Sequence, residues 1–237
     1  MAMNKDLEIH PVQARVLREL LFKTEARFVE LNVLDLTTDH FSFHIRSLVE
    51  SGLVEKNAND RYSLTSVGKE FANRFDAEQK DIRPEKQAKL GVLVCCVKKE
   101  GKTKKYLVQQ RLKQPYFGFY GFITGKIKWG ETIYETAARE MQEESGLTGR
   151  LTLVGIKHKM DYSQEGDLLE DKHFFVFKVE EVKGNLIESY EGGRNLWLPK
   201  KDISKLPSLF DGVEETIKMI LQKRLLFSET KYKVKGY

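Results

Sequence analysis

Between residues 9 and 23 the apolar positions recur at helical spacing. Val12, Val16, Leu20 and Leu21 fall on one face, which predicts a first helix. Phe28 to Leu34 predicts a short second helix, and Phe41 to Val49 a third that stops at Gly52. Between them, Leu36-Thr37-Thr38-Asp39 is a turn able to cap the third helix. The period then changes to two. Leu53 to Lys56 and Arg61 to Leu64 predict two short strands around Asn57-Ala58-Asn59-Asp60, a hairpin signal. Thr65 caps a last helix from Ser66 to about Phe75. From Asp76 the chain turns polar, DAEQKDIRPEK, and reads as a linker up to Lys86.

The second half opens on an apolar run, Ala88 to Lys98, and a returning strand, Tyr106 to Arg111, around the turn Glu100 to Lys104. Leu151 to Lys159 and His173 to Val179 predict two more strands, joined by a polar, acidic loop from Asp161 to Asp171. Asn195 to Leu198 is a further strand, and Leu209 to about Leu225 a closing amphipathic helix. The tail from Lys223 holds Lys223, Arg224, Lys231, Lys233 and Lys235 against Glu229, which predicts a frayed, solvated end. Strands with helices interspersed place the chain in the α/β class.

Between these strands lies Gly125 to Leu147, GKIKWGETIYETAAREMQEESGL. Thr132 to Ser145 reads as a helix whose buried stripe is Tyr134, Ala137, Ala138, Met141 and Ser145. Glu140, Glu143 and Glu144 share a different face, three and four residues apart. Each like-charge pair at that spacing costs a helix a few tenths of a kcal/mol, so stability does not favour the cluster. A hard divalent cation relieves it, and oxygen donors suit Mg²⁺ or Mn²⁺. Arg139 is expected to pair with Glu131 and pin the loop before the helix, leaving the three carboxylates to a cation.

This arrangement resembles the Nudix box, G-x5-E-x7-R-E-U-x-E-E-x-G-U with U aliphatic, at every defined position. Its seven prescribed identities coincide by chance at roughly 10⁻⁸ per start position. The resemblance implies an α/β/α sandwich over residues 87–225, with 226–237 as a basic tail. It also implies metal-dependent hydrolysis of a nucleoside diphosphate linked to another group, of ADP-ribose or nucleotide-sugar type. Glu140, Glu143 and Glu144 are the implied metal ligands, with the carbonyl of Gly125 completing the shell. The general base is Glu143, Glu144 or a loop glutamate, for which Glu191 is the first candidate and Glu188 the reserve. Arg111 and Lys126 are candidate phosphate contacts, and Phe119, in the aromatic run PYFGFYGF, a candidate ring for a base. Many family members carry Gly-Gly at the loop start and an acid three residues after the box glycine. Thr124 and Lys128 stand there instead, which bears on substrate class more than on catalysis.

The N-terminal order of helix, helix, helix, hairpin, helix, with FSFHIRSLVESGLVEKNANDRYSLTSVGKEF, resembles the ArsR/MarR-like winged helix-turn-helix group, over residues 1–76 ahead of a linker at 77–86. Ser42, His44 and Arg46 are then the groove-facing candidates, and Lys56 and Arg61 the wing contacts to DNA phosphate. Charge opposes a simple DNA-binding reading. The net of +5 is uneven: residues 1–80 hold 11 Lys/Arg against 13 Asp/Glu, and the remainder 29 against 22. The module thus reads either as DNA-binding or as a dimerisation or substrate-covering unit.

Two functions stay open: a Nudix hydrolase, or a regulator whose Nudix domain senses a nucleotide metabolite. A homodimer is expected among the partners. A third, an isomerase of isopentenyl-diphosphate type, needs a reactive cysteine, and Cys95 and Cys96 lie in an apolar strand. Gly101-Lys102-Thr103 is not a phosphate loop, because Cys96 stands where its first glycine belongs. Hydrophobic residues at 41% and charged at 32% describe an ordinary soluble chain. With no secretory segment and no membrane-length apolar run, cytoplasm is the default expectation.

Overall fold

The structure, a computed structural model, describes residues 9–73 and 87–235. They fall into two units, within Met1–Lys86 and Gln87–Tyr237. The linker expected at 77–86 and the last residues of the helix expected to reach Phe75 lie outside the described residues.

In the first unit, α1 (Pro11–Leu21) starts on a proline, and the His10 side chain accepts the Val12 N–H at 3.2 Å. It buries Val12, Ala14, Val16, Leu17 and Leu20. β1 (Ala26–Arg27) leads into α2 (Phe28–Leu31), shorter than predicted. The cause is Asn32, whose side chain donates to the Leu36 carbonyl at 2.8 Å and accepts the Leu36 N–H at 3.0 Å. That local ring competes with the helix ladder and ends it. α3 (Thr38–Glu50) is followed by Gly52 in the left-handed region, at φ 72°. β2 (Val54–Lys56) and β3 (Arg61–Leu64) form the hairpin, with β1 on the other side of β3. Thr65 caps α4 (Ser66–Ala72) by accepting the Gly68 N–H at 2.9 Å.

The second unit runs β4 (Lys89–Glu100), β5 (Thr103–Arg111), β6 (Tyr120–Gly121), β7 (Ile123–Lys126), α5 (Ile133–Ser145), β8 (Leu147–Tyr162), β9 (Leu168–Gly184), β10 (Ser189–Tyr190), β11 (Gly193–Pro199), α6 (Lys200–Ile203), α7 (Val213–Leu221) and β12 (Leu226–Lys233). The main sheet order is β10-β11-β5-β4-β9-β8-β12. β4 is where it forks. Gly91 to Val94 pair with β7, whereas Val97 to Glu100 pair with β5. Alternate residues of β4 enter two different cores. Val92, Val94 and Cys96 pack with Ala137 and Met141 of α5, while Cys95 packs with Ile217 and Ile220 of α7. The layers are therefore helix, sheet, helix. Both cysteines are buried and free. Among the described residues no helix is long and apolar enough to cross a membrane.

The sequence expectations for two segments of this unit fail. The loop expected from Asp161 to Asp171 is mostly strand, since β8 runs to Tyr162 and β9 starts at Leu168. Its polar residues pair in register, Asp161 opposite Glu170 and Lys159 opposite Lys172. The frayed tail is instead β12, which adds to β8 in parallel with Glu229 opposite His158. His158 Nδ1 lies 2.7 Å from Glu229 and Nε2 2.8 Å from Asp171, so one ring ties three strands.

His44, expected to face outward, is buried at 4% exposure. Its ring stacks on His10 at 4.4 Å, and its Nε2 faces the Nε2 of His40 at 3.3 Å. Burial, aided by these two rings, lowers its pKa below the usual histidine value. A group whose folded pKa is depressed in this way is neutral when folded and takes up a proton on unfolding. Its stabilising contribution is present above about pH 6.5 and is lost as pH falls below it. Protection of the buried α3 amides, corrected for the intrinsic exchange rate at each pH, should therefore fall between neutral and mildly acidic pH, and His44→Leu should flatten that dependence. An identical pH dependence in the variant would remove His44 as its source.

Candidate active site

α5 begins with a reciprocal cap: the Glu135 N–H donates to Thr132 Oγ at 3.2 Å, and Glu135 accepts the Thr132 N–H at 2.8 Å. It ends on Gly146 at φ 70°. Its buried face holds Ala137, Met141 and Ser145 as the pattern predicts, but also Thr136. Tyr134 and Ala138, expected in the stripe, are exposed.

Arg139 does pair with Glu131. Nε and Nη2 reach the two carboxylate oxygens at 2.7 and 2.9 Å, and Thr136 Oγ donates to the same group at 2.9 Å. The guanidinium holds the Glu131 carboxyl down at about 2. The same arginine also enters the acidic cluster, which corrects the expectation that it stays apart. Its Nη1 donates to Glu140 Oε1 at 2.7 Å and to Glu143 Oε2 at 3.1 Å. One cation thus partly offsets two of the three clustered carboxylates. Glu144 is not among its partners.

Glu140 and Glu144 line a cavity of about 660 Å³, with Gly91, Gly125, Lys126 and Lys128 beside them. Glycine is required at two of these places. A side chain at Gly125 would overlap the Glu140 carboxyl. A Cβ on Gly91 would stand 2.7 Å from the Gly125 carbonyl oxygen. Glu144 is half-buried, and desolvation pushes its carboxyl up, opposed by a hydrogen bond from Gln109 Nε2 at 3.1 Å. Asn195, 3% exposed, donates its amide to the Glu144 carbonyl at 2.7 Å and to the Ile187 carbonyl at 2.8 Å. The Tyr190 hydroxyl is buried near Glu144 without a well-formed hydrogen bond. Sequence reasoning missed Gln109, Asn195 and Tyr190. Each sits in a strand far along the chain, and a lone amide or phenol in a strand carries no spacing signal.

The other candidates scatter. Arg111 lines the cavity, but its guanidinium also donates to the Pro115 and Gln114 carbonyls at 2.6 and 3.1 Å. Lys126 is exposed on the cavity wall. Phe119 is off the wall and packs on Tyr116 and Phe210, which do line it. Glu143 is more than half exposed and off the wall. Glu191 is exposed in the turn between β10 and β11, and Glu188 is exposed as well, so neither lines the cavity. Both thiols lie in the core, pushed up by burial, Cys96 to about 12, which suits no nucleophile. In the first unit Ser42 is half-buried and Arg46 exposed, while Lys56 is held by Asp60 at 2.7 Å and Arg61 by Glu25 at 3.2 Å.

The donors at the box end of the cavity wall are hard oxygens: the Glu140 and Glu144 carboxylates, and the Gly125 carbonyl against which Gly91 packs without a side chain. They fit Mg²⁺ or Mn²⁺, which need only one or two carboxylates when waters complete the shell. The three box carboxylates do not converge on one point, so the fit rests on Glu140 and Glu144. The tightest cluster of three metal-type ligands among the described residues lies elsewhere, at His158, Asp171 and His173.

Comparison with known proteins agrees with this architecture. The NUDIX domain model matches residues 89–220, more than half of the chain, and the chain belongs to that family. It is 26% identical over 155 residues to an octanoyltransferase of Myxococcus xanthus, covering 65% of this chain and 42% of that one. It is 27% identical over 118 residues to an ADP-ribose pyrophosphatase of Methanocaldococcus jannaschii, covering 49% of this chain and 66% of that one. The chain therefore spans less than two thirds of either relative. The solved NUDIX domain of Shewanella oneidensis NrtR, complexed with ADP ribose, shares the fold at a TM-score of 0.51 and 18% identity, covering 67% of this chain and all of that one.

Removing a group that orients a metal-site carboxylate typically costs about 10–100-fold in metal affinity or activity. Gln109→Leu should weaken Mn²⁺ binding to the full chain by that order, read by titration of the ion's magnetic resonance signal. Unchanged affinity would mean that Gln109 does not orient Glu144.

Proposed function

We propose that the protein is a divalent-metal-dependent hydrolase that cleaves the diphosphate bridge of a nucleoside diphosphate linked to another group. The observation that carries this reading is the placement of Glu140 and Glu144 on one cavity wall beside Gly125. A bound Mg²⁺ or Mn²⁺ would neutralise the diphosphate and lower the pKa of a water. The chain's own cations contribute around it. Lys113, Lys126, Lys128 and Arg111 line the same cavity and would balance phosphate oxygens. Glu144 is the base we favour over Glu143 and Glu191, because it alone of the three lines the cavity. Its carboxylate takes a proton from the attacking water, the new P–O bond forms, and the bridging P–O bond breaks toward the nucleotide or its partner. Gln109 fixes the direction of that carboxylate.

The ADP-ribose pyrophosphatase among the relatives and the ADP-ribose-bound neighbour make ADP-ribose the first substrate to test. For the first unit we favour a protein-contact role over DNA reading. Of the DNA candidates, His44 is buried and Lys56 and Arg61 are already paired, and the exposed apolar side chains of α3 are Phe43 and Val49.

With ADP-ribose and a panel of dinucleotides and nucleotide sugars, Mg²⁺ should support release of a mononucleotide. Glu144→Gln should lower kcat by about 10²–10⁴-fold, the range for loss of a positioned base. Turnover that is absent across the panel, or indifferent to metal, would sink the hydrolase reading. Duplex DNA should bind the full chain weakly, with a shallow dependence of affinity on salt. A steep slope with site preference would restore the regulator.

A further inference from the structure

The cavity continues beyond the box to a second polar wall. At the level of Gly91 the strands run β7, β4, β9, β8 in hydrogen-bonded order. Register then places Lys89 opposite Lys172, and Lys172 opposite Lys159. Three ammonium-bearing side chains stand in one row across β4, β9 and β8, and all three line the cavity. Lys157 lies two positions along β8, opposite Phe174, and lines it too.

Sheet stability does not account for this row. Like charges directly opposite on neighbouring strands are destabilising. Lys157 is 2% exposed, and burial lowers the pKa of both Lys157 and Lys172. The available carboxylates are few. Glu170 takes Lys89 at 2.6 Å and Lys172 at 3.5 Å. Asp161 takes Lys159 and lies 3.3 Å from the Tyr116 hydroxyl. Lys157 is held by Glu215 at 2.9 Å and by the Gly212 carbonyl at 2.7 Å. Asp211 is the remaining acid on this wall. Among the described residues the three row lysines thus share two carboxylates in direct contact, and Lys172 has the longest of those contacts. Lys89, at the β4 end of the row, is one strand spacing from β7, and Lys159, at the β8 end, is three, about 14 Å. The row thus leads away from the box along a cavity that Arg111, Lys113, Lys126 and Lys128 also line. Phe174 and Tyr116 lie on the wall along with the row and offer apolar surface to a sugar ring.

We propose that Lys89, Lys159 and Lys172 form a subsite for an anionic group, a carboxylate or a phosphate, on the moiety linked to the nucleoside diphosphate. The proposal rests on the box as the diphosphate site and narrows the substrate to nucleoside diphosphates whose distal group is itself charged. Neutral nucleotide sugars reach the same row with hydroxyls only and leave Lys172 with its long contact to Glu170.

The test uses the full chain with Mg²⁺ and substrate pairs that differ only at the distal group. UDP-glucuronate against UDP-glucose reads a carboxylate. ADP-ribose phosphorylated on its distal ribose, against ADP-ribose, reads a phosphate. In at least one pair the anionic member should show kcat/KM about tenfold higher, mainly through KM, as one charge-assisted hydrogen bond provides. Lys172→Met should bring that ratio toward one, and its thermal midpoint beside wild type reports whether it folds. Wild-type ratios of one or below in both pairs overturn the subsite and leave the hydrolase reading intact. If no substrate is turned over, the hydrolase reading fails separately. Calorimetric titration of wild type with glucuronate 1-phosphate and ribose 1,5-bisphosphate, against glucose 1-phosphate and ribose 1-phosphate, then decides the subsite. Tighter binding of an anionic member, reduced in Lys172→Met, upholds it, and equal binding overturns it.

Discussion

One guanidinium fixes the geometry of the box. Arg139 is anchored in α5 and grips Glu131, the loop residue just before the Thr132 cap, through both carboxylate oxygens. A bidentate pair constrains direction as well as distance. The loop is thereby held to the helix, and the Lys126 carbonyl is drawn toward the same arginine at 3.3 Å. With loop and helix locked together, Glu140 lies directly on Gly125, where no side chain fits. The same arginine shares charge with Glu140 and Glu143, so the acidic cluster is partly compensated by the protein itself. A cation is therefore not needed for the helix to form.

The fork in β4 is the second constraint. One strand pairs with β7 at one end and β5 at the other, so the sheet opens around the box and leaves a cavity between its halves. Polar strands result from that opening. Lys157, Lys159, Asp161, Glu170 and Lys172 face the cavity rather than an apolar core, and they persist as strand because they pair with one another or with neighbouring acids. The parallel addition of β12 closes this end of the sheet, with the Tyr232 hydroxyl 3.2 Å from Glu215, the partner of Lys157. Residues that look like a solvated tail along the chain thus buttress the cavity wall.

The first unit shows the opposite balance. Its helices and hairpin obey their local signals, and its core, from Val12 to Ala72, is apolar apart from the buried His44. Its surface carries less chemistry than its sequence suggested. His44 packs against His10 and His40, and the hairpin cations are matched within the unit by Asp60 and Glu25.

Local sequence determined the helix of the box, its caps, the Glu131–Arg139 pair and the alternation of Val94, Cys95 and Cys96 between two cores. Each of these depends on residues within about two turns or one strand, where periodicity and side-chain reach fix the outcome. Tertiary structure decided which acid enters the cavity. Glu143 and Glu144 are neighbours in sequence, yet only Glu144 meets Gln109, brought from 35 residues away by strand pairing. It also decided that Asp161 to Asp171 is mostly strand and that Leu226–Lys233 is an edge strand. Those segments are polar because their environment is a cavity or a sheet rim. A pattern of hydrophobic burial cannot report an environment that long-range pairing creates.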